Sequence, residues 1–292
     1  MYKRMKLICC DVLFRMACRA AAGSKNIIDM EFTRLQSHNE PDLLRNEIQG
    51  LIDKADAEGV YEAVLLGYGL CGNSAAGLVA RGRPLVIPRA HDCCTLFLGS
   101  RANFKDKFGD RLSAQWSSHG YLERNHEYAG GTDINKSLGL DRDYAALVEQ
   151  YGEDNAEYIW ETLHPAYHVG KGERLYIDVA PFDCPGGSDD EDFHYKRYEQ
   201  AVIADLNKTA ASDTPQPGAA NKPNTPQPDA SYTPDATQPG AAPVDTGIQR
   251  IEGSARLIDM LLDGDWGDDF LIVPPGMAIA AVYDMEQVVT YT

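Results

Sequence analysis

Short apolar runs alternate with longer stretches whose apolar residues recur every three or four positions. Leu7 to Leu13, Ile27 to Leu35, Tyr61 to Leu66, Leu85 to Ile87, Leu175 to Val179 and Phe270 to Val273 are the short runs. Their length and turn-forming flanks predict strands, with Ala114 to Trp116 as a weaker candidate. Leu43, Leu44, Ile48, Leu51 and Ile52 keep helical spacing, so Pro41 to Ala57 is predicted as a helix with Pro41 in its first turn. Helices are also expected over Asn73 to Ala80 (capped by Asn73 or Ser74), Asp92 to Phe108, Asp143 to Leu163, Phe193 to Leu206 and Arg256 to Leu262. Strands separated by helices predict an α/β fold: a mostly parallel sheet flanked by helices.

The pattern breaks between Thr209 and Thr246, where eight of the sixteen prolines fall and large apolar side chains are nearly absent. Such a stretch has little to offset the entropy of ordering it, which predicts a flexible Pro-rich insertion over 209–247. The α/β core then spans residues 1–208, and 248–292 adds a helix and a strand that complete it. Pro274 to Met277 is expected as a loop at the end of that strand.

Composition narrows the partners. A formal charge of −17 argues against a nucleic-acid backbone or an anionic membrane, because both reward Lys and Arg. No apolar run approaches the roughly 20 residues needed to span a bilayer. Lys3, Arg4 and Lys6 before Leu7 to Phe14 faintly suggest a signal peptide, but Asp11 and Arg15 interrupt the apolar part, and a buried first strand is the better reading. Seven cysteines, an odd number with two adjacent pairs, do not form a secreted disulfide framework, so a cytoplasmic location is expected.

The chemistry gathers where strands end. Gly67-Tyr-Gly-Leu-Cys-Gly-Asn73 follows one predicted strand, and Pro88-Arg-Ala-His-Asp-Cys-Cys-Thr95 follows the next. If the strands are parallel, Cys9 or Cys10, His38, Cys71, His91 and Cys93 collect at one carboxyl edge. Three thiolates, or two with an imidazole, make a zinc ligand set, and three cysteines also suit an iron–sulfur cluster. The chain lacks a Cys-x-x-Cys pair, so this expectation rests on topology alone. Each residue has a plainer alternative: Cys71 filling a tight turn, strand cysteines as small hydrophobes, His91 capping a helix, Arg89 pairing with Asp92. Without a metal, Cys71 or Cys93 would be the nucleophile and His91 the base. Gly67, Gly69, Gly72 and Asn73 permit close backbone approach to a ligand, and Arg89 suits a carboxylate or phosphate on it. The pattern is neither a P-loop nor a dinucleotide fingerprint. Pro165 breaks the helix that a metal pair His164 and His168 would need, and Asp189 to Asp192 lacks the spacing of a calcium loop. Cys18, Cys94 and Cys184 are read as structural.

Leu65-Leu-Gly-Tyr-Gly-Leu-Cys-Gly-Asn73, Val86-Ile-Pro-Arg-Ala-His-Asp-Cys93 with Leu98-Gly-Ser100, and Asp265-Trp266 through Phe270 to Pro275-Gly276 resemble a bacterial and archaeal family, domain of unknown function 1638. Leu7 to Leu13 is similar to the family's opening strand, with Cys10 at its cysteine position, and His38 and Tyr151 to Ala156 also fit. The resemblance implies that Cys10, Cys71, Cys93, His38 and His91 belong to a shared pattern. It brings no assigned activity, but implies a setting near corrinoid-dependent methyl transfer. The chain lacks the Asp-x-His-x-x-Gly pattern that would ligate a corrinoid itself. The expectation is a Cys-rich metal-site protein, zinc first and an iron–sulfur cluster second, acting in thiol, methyl or one-carbon transfer. Its partner is then a small-molecule substrate or a corrinoid or methyltransferase protein. A non-enzymatic accessory protein that handles a metal or cofactor, and a metal-free Cys/His enzyme, are the alternatives.

Overall fold

The computed structural model describes residues 2–34, 41–108, 114–124, 174–180, 182, 192–212, 245–282 and 287–292. The first strand, β1 (Arg4–Cys10), is buried at every residue after Arg4 and lies inside a five-stranded sheet. It pairs in parallel with β2 (Ile27–Thr33) on one side and with β3 (Ala63–Gly67) on the other. β3 pairs in parallel with β4 (Leu85–Pro88), and β8 (Phe270–Val273) closes that edge antiparallel to β4. A second sheet, of β5 (Gln115–Ser118), β6 (Arg174–Asp178) and β7 (Ile248–Glu252), is parallel throughout. The short strands β9 (Ile279–Ala281) and β10 (Val289–Tyr291) form an antiparallel pair. The protein is therefore α/β with mostly parallel sheets flanked by helices.

Helix α1 (Phe14–Gly23) returns the chain from β1 to β2, and α2 (Pro41–Glu58) from β2 to β3. In α2, Leu44, Ile48, Ile52 and Ala55 are buried at helical spacing, the face that the sequence pattern predicted. Helix α7 (Arg256–Asp263) buries Leu257, Ile258, Leu261 and Leu262, each contributing roughly 1.5–3 kcal/mol of transfer free energy. Core residues of both sheets, from Leu7 and Leu65 to Leu175 and Ile177, belong to one apolar cluster.

Several local expectations are corrected. The run Leu7 to Leu13 is not one strand: β1 stops at Cys10, and a 3-10 turn, Asp11–Leu13, leads into α1. Val12, Leu13, Met16 and Ala17 are buried on the helical side, so the apolar run crosses a strand-to-helix junction without a polar break. No helix forms over Asn73 to Ala80. Cys71, Gly72 and Asn73 adopt φ of 47°, 61° and 70°, and Gly77 φ of 88°, conformations that a right-handed helix cannot carry. Asp92 to Phe108 splits into α3 (Cys93–Leu98) and α4 (Arg101–Phe108) at Gly99, which is left-handed at φ 75°. A Cβ there would lie 2.6 Å from the Ser254 Cβ, so the glycine serves close packing as well as the turn. The Pro274 to Met277 loop meets Ala80, before β4, because β8 runs antiparallel and carries it to the far edge. Helix α6 (Phe193–Ser212) continues four residues into the stretch expected as insertion. The rest of that stretch to Val244, and the helix expected over Asp143 to Leu163, lie outside the described residues. Strand β7 and the short helix α5 (His119–Arg124) were not foreseen.

Candidate functional site

Because β1, β3 and β4 are parallel, the turns that leave them share one edge of the sheet. The strand order β2-β1-β3-β4 reverses its winding between β1 and β3, and the carboxyl ends at such a reversal frame a crevice. Cys10 is the last residue of β1, Cys71 follows β3, and Cys93 opens α3 after β4. The two turns are tied together: Leu70 N donates to Ala90 O at 2.7 Å and Cys71 N to His91 O at 2.9 Å. Gly69 makes that approach possible, since a Cβ would stand 2.7 Å from Asp92 N and 2.8 Å from Ala90 O. Cys71 itself holds a left-handed backbone that non-glycine residues adopt only when their surroundings enforce it. Asp92 caps α3 by accepting from Cys94 N at 3.0 Å, fixing Cys93 at the helix start.

Cys10, Cys71 and Cys93 are reduced cysteines, buried to 1%, 9% and 5% residual exposure. Burial is the main force pushing all three thiols above their ordinary pKa, and mutual repulsion adds to it. Cys93 raises Cys10, Cys10 raises Cys71, and Cys71 raises Cys93. A charge on any one of the three is thus felt by another. A phenol from the helix that follows β5 completes the cluster: Tyr121 OH, on α5, lies 2.6 Å from Cys93 Sγ. Burial and Cys93 together push that phenol up as well. Tyr68, hydrogen-bonded to Thr33 Oγ1 at 2.5 Å, is likewise raised by burial first and by Cys10 next. The result is a cluster of buried proton-bearing groups in which any lone anion is disfavoured.

The remaining predicted residues fall elsewhere. Cys9 points at Gly67, where a Cβ would lie 2.4 Å from its sulfur, so Gly67 leaves room for a packed thiol. Gly72 has open space around it and serves its turn, and Asn73 O accepts from Arg45 Nη2 at 2.8 Å. The side chains of His91 and Arg89 line a separate pocket of about 510 Å³ that contains none of the cysteines. His38 and Cys184 lie outside the described residues. Among the described residues, no set of three or more His, Cys, Asp or Glu side chains is arranged to hold a metal ion. Among them, too, no helix is long and apolar enough to cross a membrane.

Sequence reasoning missed Tyr121 and a polar group beside it. His119 and His194 are buried to 0% and 1% exposure, and neither imidazole makes a hydrogen bond to any of the described residues. Ser117 and Ser118 Oγ next to them are also buried without partners. His194 Nε2 lies 3.2 Å from Glu123 Oε1, close enough for an ion pair but not aligned as a hydrogen bond, while Arg15 binds the same carboxylate. Burial works to raise the Glu123 carboxyl, but His194 and Arg15 outweigh it and leave the group below its ordinary pKa. Burial also pulls His119 down to about 4, with His194 and Arg15 adding to that and Glu123 opposing it. The available signal was Ser118-His-Gly-Tyr121, which leaves a short strand just as the cysteine turns do.

The family model described as "Protein of unknown function (DUF1638)" matches residues 32–171, a span that includes His38, Cys71, His91, Cys93 and Tyr121. Cys10 and the Asp265 to Gly276 stretch fall outside it. No curated protein and no solved structure matches the chain.

Proposed function

We propose, for a chain that through residues 32–171 belongs to the DUF1638 family of unknown function, that Cys10, Cys71 and Cys93 bind a thiophilic metal ion. Zinc is the first candidate and an iron–sulfur cluster the second. The observation that carries the reading is the placement of three buried, mutually coupled cysteines at three strand ends of a topological switch point. Buried thiols that repel one another's charge gain most from a cation placed among them. The donor set therefore fits a soft metal by its chemistry. Binding would draw the three sulfurs together and detach Cys93 from Tyr121, with His38 as a candidate fourth ligand. A bound zinc would keep the sulfurs ionised and nucleophilic, which suits thiol, methyl or one-carbon transfer. The family resemblance supports a corrinoid or methyltransferase protein, or a small-molecule methyl donor or acceptor, as the partner. A metal-free Cys/His enzyme is less well supported, because burial disfavours the thiolate and His91 lines a different pocket.

The test is metal content per folded chain in protein prepared without oxygen and reconstituted with zinc or with iron and sulfide. Wild type is expected to hold about one metal centre per chain, Cys71→Ser and Cys93→Ser less than about a tenth of that, and Cys18→Ser as much as wild type. A wild-type protein that retains no metal after reconstitution overturns the reading. Fast alkylation of Cys71 or Cys93 in that metal-free protein would then favour a nucleophile instead.

A further inference from the structure

The pocket that holds His91 has a charge unlike the rest of the molecule. Arg89, Arg101, Lys105 and Arg256 line its space of about 510 Å³, and Asp269 is the one acidic residue in the lining. That local excess of positive charge sits in a chain of formal charge −17. The cations arrive from three directions: Arg89 follows β4, Arg101 and Lys105 stand on α4, and Arg256 opens α7. Their positions are fixed by backbone and by Asp269. Arg89 Nη1 donates to the carbonyls of Gln287 and Val289 at 2.9 and 2.5 Å. Arg256 Nη1 lies 3.1 Å from Asp269 Oδ2, and Arg101 Nε 3.5 Å from its Oδ1. One carboxylate is thus shared between two guanidinium groups. Burial, and then the charge of Arg101, press the Arg89 guanidinium below its ordinary pKa, with Asp268 opposing them. His91 brings a buried Nε2 without a hydrogen-bond partner among the described residues, and its ring lies 6.4 Å from that of Phe104, a second wall of the pocket.

We infer that this pocket binds the phosphate group of a small molecule. Convergence of cationic side chains from three elements suits a tetrahedral dianion, which offers acceptor oxygens in several directions, better than a flat, singly charged carboxylate. The volume lies within the usual range for metabolite sites, leaving room for an organic portion against Phe104 and His91. The site is distinct from the thiol cluster: Thr95 lines it, whereas Cys93, two residues earlier in α3, projects from the opposite side of the helix toward Tyr121.

Calorimetric titration of the full chain, treated with chelator so that the result is independent of any metal, tests this. The probes are inorganic phosphate, glycerol phosphate and succinate at constant ionic strength. Phosphate and glycerol phosphate are expected to bind saturably at one site, at least about tenfold more tightly than succinate. Lys105 is exposed, and Lys105→Glu is expected to keep the fold while weakening phosphate binding about tenfold or more. Arg101→Gln is expected to weaken it as well, with unaltered thermal midpoints confirming intact folds. Absence of saturable phosphate binding, equal binding of succinate, or affinities unmoved by both substitutions overturns the assignment.

Discussion

Gly120→Ala is expected to destabilise the protein by about 3 kcal/mol or more, lowering the thermal midpoint by roughly 5–10 °C. The added Cβ would lie 1.9 Å from the carbonyl oxygen of Val12 and 3.1 Å from Phe97 Cζ. The first obstacle is backbone, in the turn that follows β1, so no side chain can swing aside. The substitution must push α5 away from that turn, and Tyr121 goes with it, away from Cys93. Helix propensity alone predicts the opposite sign, since alanine is favoured over glycine by roughly 1 kcal/mol within a helix. Gly50, in α2 with nothing within 4 Å of its Cβ position, supplies the comparison, and Gly50→Ala is expected to stabilise. Denaturant melts of both variants decide the matter; a Gly120→Ala protein as stable as wild type would mean the two layers are not in this close contact.

Acid should weaken the fold well before the carboxylates titrate. His119, pulled down to about 4 from 6.5, stays neutral in the folded protein while the unfolded chain takes up a proton. Its contribution is complete above pH 6.5 and is lost as pH falls toward 4, in total about 3 kcal/mol. The groups that face it are Glu123, His194 and Arg15. The depressed carboxyl of Glu123 acts in a lower window: its stabilisation is present above the ordinary glutamate value and is lost below it. His119 packs against Phe182 at 5.4 Å and edge-on to Phe97 at 5.7 Å, so His119→Phe keeps an aromatic ring in an aromatic setting. Stability measured between pH 7 and 4.5 should fall for wild type and change much less for the variant. Equal slopes in the two proteins would rule out His119 as the acid-sensitive group.

The strands of the first sheet and helices α2 and α7 were legible because their apolar periodicity is uninterrupted and their ends carry glycine, proline or polar residues. That Cys10, Cys71 and Cys93 sit along one edge of the sheet was legible for a related reason: parallel strands leave all their turns on one edge, so position at a strand end substitutes for proximity in sequence. Periodicity failed where one apolar run served two elements, as at Leu7 to Leu13. It failed again where backbone conformation overrode composition: the left-handed residues Cys71 to Asn73 precede Ala75, Ala76, Leu78 and Ala80, which read as a helix but do not form one. His91 was assigned to the thiols because a strand-end position gives the edge but not the direction of a side chain. Neighbouring residues on a turn diverge: His91 lines the pocket of Arg89 and Arg101, whereas Cys93 contacts Tyr121. Tyr121 and His119 were invisible for a third reason: their proximity to the first sheet depends on how two sheets pack, which local patterning does not encode.

Each sheet takes its last strand from late in the chain: β7 pairs with β6, and β8 with β4, both from beyond residue 247. During synthesis, β4 and β6 therefore leave the ribosome with an open row of hydrogen-bonding groups, and β4 waits for more than 180 residues to follow before its neighbour exists. Pairing over such separations is slow, and an unpaired apolar edge is a template for other chains. The nascent protein is thus most vulnerable to aggregation just before residues 248–273 are made, when neither of these two sheets has its closing strand.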